Sequence, residues 1–575
     1  MPQPAGAPPA GPEFPRQFVA ANADFGIWQT VEGYYRNLLD RQVSTREELE
    51  VWLCQVSELE AGIDEERAKR HVDATCHTDD EGRQHHYLWF VHNIDANCQP
   101  WRNRILRRYL EHVQRIPLPP QRYEVLTRRV RNTVELYRDQ NVPLLAEEAR
   151  LVTEYERITG AMTCEYAGRE QTLQQMARYL EEPDRQVREH TWRLAADRFR
   201  EDTARLDELF EQMVALRHRI AVQADCGDYR NYMFKRYQRC DYSIEDCLTF
   251  HQAIERVVVP AARQLAEDRR RRLGLTALRP WDLAVDPDGQ PPLRPFENDA
   301  QLAHGCAQIF RRVDPELGKV FDTLRQRQLL DLGSRRGKAP GGYQETFHER
   351  RVPFIFMNAV GTEHDVRTLL HEGGHAFHTW ACRHEPLLAY RNCESAIEFA
   401  ELAAMGMECL ALPHTELFFG EQTRRATRRF FERIIRFLPY MARIDAFQHY
   451  VYTHIDEGLE GWKSYWQALT RRFAPEVDHS GLEHYDRFAW QQKLHIYEVP
   501  FYYVEYGIAQ LGALQLWLNS RRDYEQAVAA YRNGLALGVS RPLPELFEAA
   551  GCRLDFSEQA LRPLVQAVMN EIESA

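Results

Sequence analysis

Two histidines four residues apart, with a glutamate directly after the first, make 371-HEGGH-375 an H-E-x-x-H pentad. On a helix, His371 and His375 stand about 40° apart around the axis and one turn along it, so both imidazoles can meet one metal ion on the same side. Glu372 can reach the open face of that ion without ligating it, and there it can take a proton from water. The chemistry on offer is hydrolysis of a peptide bond assisted by one Zn2+ ion.

A catalytic zinc needs a third protein ligand and keeps one position open. The metzincin pattern would place a histidine six residues after His375, but that residue is Ala381. His378 falls near the opposite edge of the helix face and is expected to pack or to join a polar network. The stretch 395-SAIEFAELAAMGMECLAL-412 reads as a buried helix, yet it carries Glu398, Glu401 and Glu408. Buried carboxylates need partners, and a metal or a histidine supplies one. Ser395 and Glu398 have capping-box spacing, which gives Glu398 a local explanation. Glu401 and Glu408 lie seven apart on one face, with Glu401 better placed for the ion and Glu408 for a bond to a ligand imidazole.

The elements that must hold these residues are also legible. Thr362 followed by Asp365 has the spacing of a capping box, which starts the pentad helix at Glu363 and carries it to about Trp380. Gly373 and Gly374 cost a helix interior about 1–2 kcal/mol against alanine, so close packing or access to the metal must require small residues there. Residues 352-VPFIFMN-358 read as a short strand, whose edge an extended peptide could join through main-chain bonds. Gly341 and Gly342 would let a neighbouring backbone approach that peptide, or would simply make a turn. From about residue 25 to residue 270 the pattern is repeatedly helical, as in 204-ARLDELFEQMVALRHRIAVQ-223. The Pro-, Asp- and Gly-rich segment 276–300 is expected to be a long loop that packs against its surroundings.

Composition narrows the function. With 44% hydrophobic and 27% charged residues the chain is a soluble helical protein. A net charge of −12 without a long basic run argues against a nucleic-acid partner. The most apolar window, 499-VPFYYVEYGIAQLGALQLWL-518, carries Glu505, Gln510 and Gln515 and reads as a buried helix, not a membrane span. Twelve cysteines without a C-x-x-C pair, and a first stretch with neither a basic nor an apolar signal region, indicate a reducing, cytoplasmic setting. The linear organisation expected is a flexible tail over 1–15, a helical lobe over 16–195 and a catalytic region over 196–575. Oligomeric state is not encoded in any visible pattern.

Three stretches carry a resemblance. The run 352-VPFIFMNAVGTEHDVRTLLHEGGHAFH-378, the acidic 401-ELAAMGME-408 and the C-terminal 495-HIYEVPFYYVEYGIAQL-511 resemble the oligoendopeptidase F branch of the thimet oligopeptidase family of zinc peptidases. Further likeness at 438-LPYMARIDAFQHYVY-452 and 533-NGLALGVSRPLPELFEAAG-551 extends it from near Phe18 to the end. The resemblance implies a mainly α fold of two helical lobes around a deep channel, with a small β-sheet beside the zinc helix. It implies that His371, His375 and Glu401 ligate zinc, that Glu372 is the base, and that His495 with Tyr503 and Tyr506 stabilises the transition state; which of Tyr502, Tyr503 and Tyr506 faces inward stays open. The substrates implied are short unstructured oligopeptides cut internally. A zinc exopeptidase or dipeptidyl-type carboxypeptidase with the same ligands, or a non-catalytic helical peptide binder, are the alternatives. One departure stands out: Ala403 and Ala404 occupy positions where that family commonly has histidine and serine.

Overall fold

Helices dominate the computed structural model, which describes residues 13–574, and the described residues contain only five short strands. The chain forms two compact units, each assembled from separated segments: 1–134, 294–420 and 512–553 in the first, and 135–293, 421–511 and 554–575 in the second. Residue 195, where the sequence reading divides the chain, lies inside the second unit's segment 135–293. Of the tail expected over 1–15, residues 1–12 lie outside the described residues. Phe14 is held, with its ring 4.2 Å from the Arg351 guanidinium carbon and 5.5 Å from the His384 ring.

In the first unit, a three-stranded sheet lies against the pentad helix. Strand Val352–Ala359 is its centre, antiparallel to Tyr343–Phe347 and parallel to Leu330–Gly333. The strand expected at 352–358 is therefore present, but the expectation that its edge could take a peptide is wrong. Both its edges are already paired, and the residues from Val352 to Met357 are buried, as suits a central strand. The outer edges belong to Tyr343–Phe347 and Leu330–Gly333. Gly341 has φ +97°, so it serves a turn that only glycine makes cheaply. Asn358 Nδ2 pins this turn by donating to Ala339 O at 2.7 Å and Gly341 O at 2.9 Å. Helix Arg46–Cys76 packs on strand Tyr343–Phe347, where His71 Nδ1 meets Glu345 Oε2 at 2.8 Å.

The pentad helix spans Glu363–Ala381 and begins with the expected box: Asp365 N donates to Thr362 Oγ1 at 3.3 Å, and Thr362 N to Asp365 Oδ2 at 2.8 Å. The acidic helix spans Ile397–Ala411. Its cap position is Ala396, with no side-chain cap bond, so Ser395 does not cap it and the local explanation for Glu398 fails. Ser395 instead ends a 3-10 turn, Cys393–Ser395.

The two glycines answer to the neighbours of the pentad helix. A Cβ on Gly373 would stand 2.5 Å from Phe310 Cζ, and one on Gly374 would run into the Ala403 carbonyl and stand 2.6 Å from Ala404 Cα. Phe310 cannot step aside, since its ring is wedged against Phe321 and Phe377 at 4.9 and 4.8 Å. Ala403 and Ala404, the departure noted above, thus sit where the acidic helix lies directly on the pentad helix. Tyr531 Oη donates to Ala403 O at 2.6 Å and fixes that segment from its other side.

The second unit contains helix Thr203–Gln223, in which the residues of the predicted apolar face, from Leu206 to Ile220, are buried. In the 276–300 segment Trp281 is buried and Asp282 takes Arg185 at 2.8 Å and Arg188 at 3.1 Å, so this loop packs as expected. Glu505 is buried with Arg239 as its partner at 2.7 Å. Among the described residues no helix is long and apolar enough to cross a membrane.

Gly374→Ala is expected to push the pentad and acidic helices apart, because the added methyl meets backbone and not the end of a flexible side chain. The cost should be about 1–3 kcal/mol, as for other overpacked cores. Thermal unfolding of the variant checks it; an unchanged midpoint would refute the tight approach.

Candidate metal centre

His371, Glu372 and His375 come from the middle turns of the pentad helix, and Glu401 and Glu408 from the acidic helix packed on it. Donor atoms of His371, His375 and Glu401 all lie within 4.8 Å of one another. The two imidazoles face each other edge-on, with centroids 5.0 Å apart. His371 Nε2 is 3.4 Å from Glu401 Oε2. His371 and His375 retain some exposed surface, whereas Glu372 and Glu401 are buried.

On its other side His371 Nδ1 meets Glu408 Oε1 at 2.8 Å. A carboxylate at Nδ1 holds a proton there and leaves Nε2 as the nitrogen available to a metal ion. Arg367 Nε lies 3.7 Å from Glu408 Oε2 and balances that carboxylate's charge. Arg367 was not singled out in the sequence. The available signal was its spacing, four residues before His371 on the same helix face.

Burial and charge pull the titrations apart. Burial lowers His371, but the hydrogen-bonded carboxylates of Glu401 and Glu408 outweigh it and raise the imidazole well above its ordinary value. His375 is taken down to about 4 by burial, with Glu401 opposing and protonated His371 assisting. Glu372 is pushed up to about 7, chiefly by burial, with Glu401 and Glu408 adding and His371 opposing. The proton that His371 holds between two carboxylates occupies the electrostatic niche of a cation, and a divalent ion would compete for it.

His378 stands apart. Its ring packs edge-on to Phe399 at 5.3 Å, and burial takes it down to about 3, so it is a neutral packing residue, as its place on the helix predicted. His495, Tyr502, Tyr503 and Tyr506 belong to the second unit and cluster there. The His495 ring is 4.9 Å from that of Tyr503, 6.0 Å from Tyr506 and 6.1 Å from Tyr502. Tyr503 is buried against Phe437, Tyr440 and the Lys493 ammonium, while Tyr502 and Tyr506 keep partial exposure.

A donor set of two imidazoles and one carboxylate fits zinc: it is nitrogen and oxygen, carries one negative charge, and leaves a position open. An oligoendopeptidase F homologue of Mycoplasma pneumoniae is 23% identical over 308 residues, 49% of this chain and 48% of the relative. The chain thus spans about half the length of that curated relative. The solved structure of PZ peptidase A with an inhibitor superposes with a TM-score of 0.86 at 26% identity, over 97% of this chain and 99% of that one. Oligoendopeptidase-F from Enterococcus faecium, at 12% identity, shares the fold with a TM-score of 0.62 over 95% of this chain and 97% of its own. Since the model of peptidase family M3 matches residues 178–565, a stretch that contains the pentad, the acidic helix and the C-terminal aromatic cluster, this chain belongs to peptidase family M3, a family of zinc-dependent peptidases.

Proposed function

We propose that this chain is a zinc endopeptidase of short unstructured peptides, with one zinc ion held by His371, His375 and Glu401 and with Glu372 as general base. The observation that carries the reading is the convergence of those three donors within 4.8 Å beside a buried carboxyl poised near neutrality. The relatives' names, oligoendopeptidase F among them, support internal cleavage of peptides. A cytoplasmic setting is supported by twelve scattered cysteines without a C-x-x-C pair.

Zinc, when bound, supplies the Lewis acidity that polarises the scissile carbonyl and makes water easier to deprotonate. Glu372 accepts the water's proton on its carboxylate. Its buried setting keeps the protonated form accessible, so that the same carboxyl can hand the proton to the leaving amine. A nearby dication draws the Glu372 titration downward and leaves the residue ionised, as a base must be, before substrate arrives. Glu408 holds the His371 ring in register through Nδ1. His495, Tyr503 and Tyr506 keep the part that their motif implies, as donors to the oxyanion, and their mutual packing supports their acting together.

The deciding experiment is hydrolysis of a fluorescence-quenched peptide blocked at both ends, with and without a chelator. Chelator-sensitive cleavage is expected; cleavage only of peptides with a free terminus would mean an exopeptidase, and no cleavage of either would mean a binder. Glu372→Gln should lower turnover by about 10²–10⁴-fold with zinc content unchanged; lost zinc would make Glu372 a ligand. Glu401→Ala should strip zinc during dialysis far more readily than Glu398→Ala. Equal retention in the two variants, measured by metal analysis, would move the third ligand elsewhere.

A further inference from the structure

The second unit holds another convergence of metal-binding side chains that the peptidase chemistry does not use. Helices Ile244–Arg272 and Thr423–Val451 pack against each other. Each offers a pair of chemistry-bearing residues four apart, hence on one face: Cys247 and His251 from the first, Asp445 and His449 from the second. Cys247 and Asp445 have no exposed surface, and His251 and His449 retain 4% each. Donor atoms of Cys247, Asp445 and His449 all lie within 4.8 Å of one another.

The hydrogen bonds inside the cluster are incomplete. Asp445 Oδ2 meets His251 Nε2 at 2.8 Å and His449 Nε2 at 3.3 Å. Asp445 Oδ1, although buried, has no hydrogen-bond partner among the described residues, and neither has His449 Nδ1. Beside His449 stand the rings of Phe501 at 5.2 Å and Phe234 at 6.4 Å. Leaving a buried acceptor unsatisfied costs about 1–3 kcal/mol and more if it is charged, so a ligand that uses this oxygen has a clear advantage over an empty network.

We propose that Cys247, Asp445 and His449 form a second metal site, structural in role and selective for Zn2+ or an ion of its class, with His251 as the positioning residue that holds the Asp445 carboxylate. The donor chemistry chooses the ion. Thiolate and imidazole suit zinc and its neighbours, and they disfavour calcium and magnesium, which want oxygen throughout. Charge chooses the valence: one thiolate and one carboxylate neutralise a dication, so the complex is neutral where no solvent reaches it. Binding removes the Cys247 thiol proton to solvent and forms a metal–sulfur bond, with no change of oxidation state. Bonds of about 2.0–2.3 Å set tetrahedral donors about 3.3–3.8 Å apart. Donors already within 4.8 Å of one another need to close by no more than about 1–1.5 Å to reach that geometry, a movement within side-chain torsions. The ion would then bolt the start of one long helix to the end of the other.

The two metal sites differ by a sulfur, and that difference makes the test specific. The full chain is produced in cobalt-supplemented medium, so that the ion is present as the protein folds, and its cobalt content and near-ultraviolet spectrum are measured. A thiolate-to-cobalt charge-transfer band is expected, which the His371, His375 and Glu401 set cannot give, together with one cobalt per chain beyond that centre. Cys247→Ser should abolish the band and remove one cobalt, while cleavage of the blocked peptide persists; His251→Ala should keep the band and lose cobalt faster on dialysis. Should Cys247→Ser fail to fold, X-ray absorption of the zinc-loaded parent decides, with sulfur expected at about 2.3 Å from the metal. Absence of both the band and the sulfur shell in the parent overturns the proposal, and so does a band that survives Cys247→Ser. Because the readout is sulfur ligation, its failure is distinguishable from a failure of the peptidase reading, which chelator-sensitive hydrolysis reports independently.

Discussion

The contact on which the candidate centre depends is the bare approach of the pentad helix to the acidic helix, with Gly374 against the Ala403 carbonyl and Ala404 Cα. Two helices pack at about 8–10 Å when side chains separate them, and at Gly374 no side chain stands between this helix and the backbone of its neighbour. Only at such closeness can a glutamate on one helix and two histidines on the other converge on a single ion. The helix-weakening double glycine is therefore a structural requirement of the site. Ala403 and Ala404 take part in this contact through their backbone, the Ala403 carbonyl and the Ala404 Cα meeting Gly374 and the same carbonyl accepting from Tyr531 Oη.

Around that contact, charge is arranged in layers. The part-exposed imidazoles are backed by carboxylates, two of which have assigned opponents: Glu401 faces His371 Nε2, Glu408 faces Nδ1, and Arg367 stands behind Glu408. Glu372 alone has no cationic partner at hydrogen-bond distance, and this is why burial drives its titration up while that of its neighbour His371 also rises. A group so placed is an expensive feature for stability and a useful one for proton transfer. The supporting sheet, capping box and Phe310 wedge serve to keep the pentad helix from rotating that carboxyl out of place.

In the second unit the same device recurs with different chemistry. Pairs of residues four apart on neighbouring helices converge on a point, once with histidines and a glutamate and once with a cysteine, an aspartate and a histidine. A helical protein builds a rigid polar cluster readily this way, because residues three or four apart on one helix are neighbours on the same face.

Local physics carried a large part of the reading from sequence alone. The start of the pentad helix follows from the reach of the Thr362 and Asp365 side chains, the shared face of His371 and His375 from helical periodicity, and the packing role of His378 from its angular position. All are interactions within a few residues, which the order of amino acids determines directly. What the tertiary structure decided were choices among distant partners. Position on one helix face already ranked Glu401 ahead of Glu408 for the ion, but the crossing of two helices decided that Glu401 faces His371 Nε2 at 3.4 Å and Glu408 faces Nδ1 at 2.8 Å. The strand at Val352–Ala359 was visible, but its central place was not, because pairing partners at Leu330–Gly333 and Tyr343–Phe347 are set by packing and not by its own residues. Likewise Cys247 and His251 lie nearly two hundred residues from Asp445 and His449. Their spacings are local and legible, whereas their meeting is a product of burial between two long helices, a quantity that belongs to the folded chain as a whole.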